Sequence, residues 1–145
     1  MEKIFDSVKE LDKRAENSFN LKNGVLMEQA ARGMAEYIRS YCADQIAPYT
    51  LQIGTAAPLP ARQYHSPHVT KPCVQIICGS GDNGGDGFAL ARMLGDFCTV
   101  RTVASFEPKS PLCKLQRERL ELLGIPVYTD ILDSCDVLVD AVFGT

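Results

Sequence analysis

Between Ser7 and Ser18 the apolar positions Val8, Leu11 and Ala15 recur at helical spacing and predict a short helix. Ser7 can cap it, with Glu10 completing a capping box. Asn23-Gly24 ends or turns that segment. A second helix is expected from about Val25 to Cys42, where Leu26, Ala30, Met34, Tyr37, Ile38 and Tyr41 mark one buried face. Glu28 in its first turn is either a solvated acid that suits the helix dipole or part of a site. The pattern then changes. Val74 to Cys78 reads as a strand, Phe88 to Leu94 as a helix, and Phe97 to Ala104 as a second strand built on Val100, Thr102 and Val103. Ser110 and Pro111 open another helix with Leu112, Leu115, Leu120 and Leu123 on its apolar side. Gly124 and Pro126 close it. Val127-Tyr128 begins a third strand, and Asp136 to Phe143 reads as a fourth, buried one. The order β-α-β-α-β-β with helices leading predicts an α/β fold, a three-layer, Rossmann-like parallel sheet with ligands at the carboxyl ends of its strands.

Residues 46–72 carry five prolines and no durable period, so a long surface loop or an insertion is expected there. His65 and His68 lie in it without a neighbouring Cys or carboxylate, as solvated loop histidines do. The 145 residues make one domain by length, and 46% hydrophobic content suffices for a core. A net charge of −3 with no basic patch argues against nucleic acid as the main ligand. No apolar run approaches the roughly 20 residues of a membrane span, and the first residues lack the apolar stretch of a signal peptide. Six cysteines, none in C-x-x-C, read as small core hydrophobes of a reduced cytoplasmic protein.

The chemistry concentrates in Cys78-Gly79-Ser80-Gly81-Asp82-Asn83-Gly84-Gly85-Asp86-Gly87, between a strand and a helix. Its five glycines suggest tight turns with φ > 0, and a helix N-terminus after such a loop suits an anion. Gly79, Gly81 and Gly84 satisfy the dinucleotide pattern, which is weak by itself. Asp82 and Asp86 would repel a phosphate, which suggests a cation, or acids aimed at sugar hydroxyls; they can also be plain helix caps. Asp140 within an apolar strand is either a satisfied structural acid or bound to a cation, because a buried unpaired carboxylate is costly. Asp82, Asn83, Asp86, Asp140 and Gly144 all fall at carboxyl ends of expected strands.

The stretch G-S-G-D-N-G-G-D-G followed by F-A-L-A-R-M-L resembles the signature of the YjeF N-terminal domain, the NAD(P)H-hydrate epimerases. Leu26-Met27-Glu28-Gln29-Ala30-Ala31 is similar to that family's L-M-E-x-A-G, and Asp140-Ala141-Val142-Phe143-Gly144-Thr145 to its D-A-x-F-G-T. The resemblance implies that Asp82, Asn83, Gly84, Gly85 and Asp86 contact a dinucleotide, together with the loop at Gly144 and Thr145. It implies one potassium ion per subunit, held by Asn83 and Asp140. It implies interconversion of the R and S hydrates of NADH and NADPH (NADHX and NADPHX), so that an ADP/ATP-dependent dehydratase, fused or separate, can restore the cofactor. A homodimer is a further possibility. The motifs do not identify the proton-transfer residue.

Two departures matter. Asp82 replaces the family's first Asn, and Ala31 a glycine whose loss could crowd a helix contact. The chain reaches only one residue into the second glycine loop, so the sheet is expected to be incomplete at its C-terminal side, with an open edge and apolar surface. Two other functional classes compete: a non-catalytic scaffold of the same family, which would not need Asn83, Asp86 and Asp140, and an ordinary dinucleotide-binding domain in which Glu107 holds a ribose.

Overall fold

The computed structural model describes residues 8–45 and 71–144. Ser7, the proline-rich stretch 46–70 with His65 and His68, and Thr145 lie outside the described residues. Two helices, α1 (Val8–Phe19) and α2 (Asn23–Gln45), precede β1 (Cys73–Cys78), α3 (Asp82–Leu94), β2 (Thr99–Val103), α4 (Pro111–Leu122), β3 (Val127–Tyr128) and β4 (Val137–Ala141). The four strands form one parallel sheet in the order β3-β2-β1-β4. That is the expected α/β, Rossmann-like arrangement.

Register explains where the core sits. Val74 lies beside Val100 and Val137, and Ile76 beside Thr102 and Val139. These positions share one face with Cys78 and Ala141 and meet Phe88, Leu90 and Leu94 of α3, Ile38 of α2 and Leu120 of α4 in a single cluster. The described helices thus cover one face. A third layer on the other face is not among the described residues. That face carries Gln75, whose side-chain oxygen accepts the Leu132 N–H at 2.7 Å and holds the 129–133 segment against the sheet. At its β4 end Leu138 is 59% exposed. The expected burial of β4 is therefore corrected. Among the described residues it has one neighbouring strand and one covered face, and its side chains alternate in exposure.

Helix boundaries follow local chemistry. Asn20 takes φ +53°, a left-handed conformation that asparagine tolerates, and ends α1. Asn23-Gly24 opens α2 rather than closing α1. Ser110 caps α4 as its sequence suggests, its hydroxyl accepting the Cys113 N–H at 3.0 Å, and Gly124 at φ +71° ends it. On α4 the buried side chains are Cys113, Gln116 and Leu120, while Leu115 and the C-capping Leu123 are exposed. All six cysteines are free. Burial pushes the thiols of Cys98 and Cys113 up to about 11 and that of Cys78 to about 12, so they act as inert core groups.

The face of α2 is rotated from the expected one. Met27, Ala31, Ala35, Ile38 and Cys42 are buried, while Met34, Tyr37 and Tyr41 are exposed. The reason is its partner. Gly85 of α3 leaves room for Met27 of α2, whose terminal methyl lies 2.9 Å from where a β-carbon would be, and this draws Met27 inward. Ala31 is 2% exposed and is accommodated. Ala35→Leu should therefore cost about 1–3 kcal/mol by overpacking. Tyr37→Ala, at an exposed position, should stay within about 0.5 kcal/mol. Urea unfolding of the two variants checks the rotation.

Candidate functional site

The site forms where β1, β4 and α3 converge. The Gly79 N–H donates to the Ala141 carbonyl at 2.9 Å, joining the ends of the two strands. Gly79 is tight against the backbone of Val142, and a β-carbon on Gly84 would fall on the Gly79 carbonyl. Neither glycine has positive φ; among the described glycines only Gly124 does. The expected role of the loop glycines in left-handed turns is thus replaced by another. Backbone lies where a side chain would be.

Helix α3 also begins earlier than its apolar residues indicate. It starts at Asp82, so the loop is only Gly79-Ser80-Gly81, and Asp82, Asn83, Gly84, Gly85 and Asp86 form the first turns. Gly81 caps without a side-chain hydrogen bond. The Ser80 carbonyl accepts the N–H groups of Lys109 at 2.7 Å and Ser110 at 3.3 Å, which ties the β2–α4 connection to the loop. The Cys113 thiol supports the Gly79 carbonyl from below at 3.7 Å.

Residues from both ends of the sequence pattern meet here. Asn83 donates its amide to the Phe143 carbonyl at 2.9 Å, and Gly144 packs against the Asn83 side chain. A cavity of about 170 Å³ is lined by Ala30, Ala31, Asn83, Asp86 and Asp140, among others. A second, of about 220 Å³, is lined by Asp12, Leu26, Met27, Asp82, Asp86 and Leu112. Asp86 belongs to both. Asp140 is exposed, not buried, and its carboxylate accepts the Val142 N–H at 2.9 Å. Among the described residues no helix covers the face of β4 that Asp140 shares with Leu138, which leaves it exposed.

Asp86 is half-buried, and its pKa is pushed up to about 6 by that burial and by the negative charges of Asp82 and Asp12. Asp12 has no motif around it; only the fold brings α1 to this cavity. The α2 wall was partly legible: Leu26, Ala30 and Met34 of the expected stripe line the cavities, while Met27 lies off that stripe and appears only in the motif. Glu107 pairs with Arg117 at 3.3 Å and lines neither cavity, which disfavours a ribose-holding role. Glu28 also lines neither. Its carboxylate accepts from Arg92 at 2.7 Å, so two residues of separate motifs form one ion pair between α2 and α3.

The sequence pattern of the family described as YjeF-related protein N-terminus matches residues 23–145. The chain belongs to this family. It is 35% identical over 98% of its length to the bifunctional NAD(P)H-hydrate repair enzyme Nnr of Helicobacter pylori, covering 26% of that protein. It is 36% identical over 65% of its length to an NAD(P)H-hydrate epimerase of Aspergillus fumigatus, covering 40% of it. With an NAD(P)H-hydrate epimerase of Rhodopirellula baltica the identity is 27% over 95% of the chain, covering 50% of that enzyme. The chain thus spans between a quarter and a half of these relatives. No described helix of this YjeF-type chain is long and apolar enough to cross a membrane.

The raised pKa has a sign. The folded state holds the Asp86 proton more tightly than the unfolded chain, so the group costs stability as pH rises from its ordinary 3.8 through about 6. Asp86→Asn should therefore raise the unfolding midpoint at pH 7.5 and remove this part of the pH dependence while leaving stability at pH 3.5 nearly unchanged. Thermal melts across that range decide the matter.

Proposed function

We propose that this chain carries the dinucleotide site of an NAD(P)H-hydrate epimerase, acting on NADHX and NADPHX for cofactor repair. The observation that supports the reading best is the meeting of Asn83 and Asp86 with Asp140 on one cavity, from motifs far apart in sequence. The names of the relatives point the same way. The unencumbered start of α3 suits the pyrophosphate of a dinucleotide through its free N–H groups and dipole. Asp82, Asn83, Gly84, Gly85 and Asp86 would line it, with Gly144 beside Asn83.

The donor set also suits a potassium ion. Asn83 and Asp140 offer oxygen and no sulfur or imidazole, as a hard cation prefers. The Asn83 nitrogen is committed to Phe143, which would leave its oxygen, with the Asp140 carboxylate on the same cavity, to hold the ion. Bound there, the ion would supply the positive charge that lets carboxylates and an anionic ligand share one site.

Epimerisation at C6 of the hydrated nicotinamide requires the hydroxyl to leave, helped by the ring nitrogen, and water to return on the other face. A proton must reach the departing oxygen and be recovered from the returning one. Asp86, with its pKa near 6, is the acid on this cavity suited to hold that proton near neutral pH. Negative charge from Asp82 and Asp86 stabilises the cationic ring between the two steps. A dehydratase specific for the S hydrate would consume the product; the bifunctional relatives suggest fusion as one arrangement. Free thiols fit a reducing cytoplasm.

NADP⁺ should raise the melting midpoint of the chain, and more so in potassium than in sodium. Asp140→Ala or Asn83→Ala should abolish the potassium difference. Identical midpoints with and without nucleotide in both salts would sink the proposal. R-NADPHX conversion coupled to the dehydratase then measures activity directly.

A further inference from the structure

A carboxylate offers about four lone-pair sites on two oxygens. Glu28 uses them on three donors from two other helices. Its Oε1 accepts from Arg92 at 2.7 Å, Arg119 at 2.8 Å and Gln116 at 2.9 Å, and its Oε2 accepts from Arg92 at 2.7 Å. Arg92 belongs to α3, Gln116 and Arg119 to α4. All but Arg119, which is 44% exposed, are shielded. The Glu28 side chain is 29% exposed, Arg92 22%, and Gln116 is fully buried. The Arg32–Glu36 pair on the same helix is the contrast, at 69% and 65% exposure, and such exposed pairs contribute little. Burial alone would raise the Glu28 pKa, but the hydrogen bonds from Gln116 and Arg92 and the charges of Arg92 and Arg119 outweigh it and hold the carboxyl below its ordinary value.

What this carboxylate fixes becomes visible one residue away. Met27 is 6% exposed, and its terminal methyl lies 2.9 Å from where a β-carbon on Gly85 would be. Leu26 and Met27 wall the cavity shared by Asp12, Asp82 and Asp86, and Ala30 and Ala31 wall the one shared by Asn83 and Asp140. Successive residues of a helix are separated by about 100°. Glu28 therefore grips α2 from the flank while its neighbours face the site. Its main partner, Arg92, sits on the helix whose first turn carries Asp82 and Asn83.

The geometry points to Glu28 as a positioning residue: anchored by Arg92, Arg119 and Gln116, it sets the rotation and depth of the first turns of α2, so that Met27 and Ala30 wall the ligand cavities. This rests on the reading that those cavities receive the dinucleotide. Glu28→Gln keeps one acceptor oxygen but turns an amide toward an arginine, releasing the grip without removing the side chain.

The test uses the whole chain, with NADP⁺ as probe and amide hydrogen exchange as a second readout. Glu28→Gln should weaken NADP⁺ binding about tenfold through misplacement of the wall. It should also speed exchange in residues 24–31 while residues 38–42 stay protected. Glu28→Asp, which keeps the charge on a shorter arm, should recover part of both losses. Asp130→Asn, breaking the Arg101–Asp130 pair across the sheet, should change neither. Should Glu28→Gln fail to fold, Arg119→Gln removes one donor only and is read in the same way. A lowered unfolding midpoint with unchanged NADP⁺ affinity and unchanged exchange in residues 24–31 would overturn the inference and leave Glu28 a purely structural pair. If the unaltered chain does not bind NADP⁺, the epimerase reading fails instead, and the exchange pattern alone decides the role of Glu28.

Discussion

The structure depends on a contact that has no side chain in it. The carbonyl of Gly79 occupies the space of a Gly84 β-carbon, and Gly79 itself is pressed on Val142. Three pieces of backbone, from the end of β1, the start of α3 and the exit of β4, share a volume that admits nothing larger. A helix opening with glycines at its third and fourth residues is intrinsically poor, each costing about 1 kcal/mol against alanine. Tertiary packing offsets that cost, and the return is closeness: Asn83 and Asp86 of α3 and the carboxyl end of β4 border one cavity.

Much of this was legible. Strand β1 showed as an apolar run, and α4 carried its own punctuation in Ser110, Pro111 and Gly124. Those signals are local, so a single sequence contains them. What failed to show was set by neighbours. The buried face of α2 turns on the room that Gly85 of α3 leaves, which periodicity along α2 cannot report. The start of α3 was hidden because glycine and aspartate do not look helical until packing compels them. Asp140 read as buried because an apolar run does not report whether its strand is covered on both faces; among the described residues β4 is covered on one. Asp12 reaches the site through the folding of α1 and left no trace in the motifs.

Motif residues also divide in an instructive way. Asn83 and Asp86 face the cavity, while Glu28 and Arg92, equally part of the motifs, face each other. A signature records what a site needs around it as well as within it. Here the surrounding part is electrostatic, and it joins the helix that bears the acids to the helix that closes over them.

The buried thiols have a practical meaning. Cys42, Cys78, Cys98 and Cys113 stand on α2, at the end of β1, at the entry to β2 and on α4, each at most 2% exposed. An alkylating reagent can reach each one only when its own part of the molecule opens. The chain therefore contains four natural clocks. Read one cysteine at a time, labelling rates would tell whether the layer of helices parts from the sheet as a unit or lets go of α2 first.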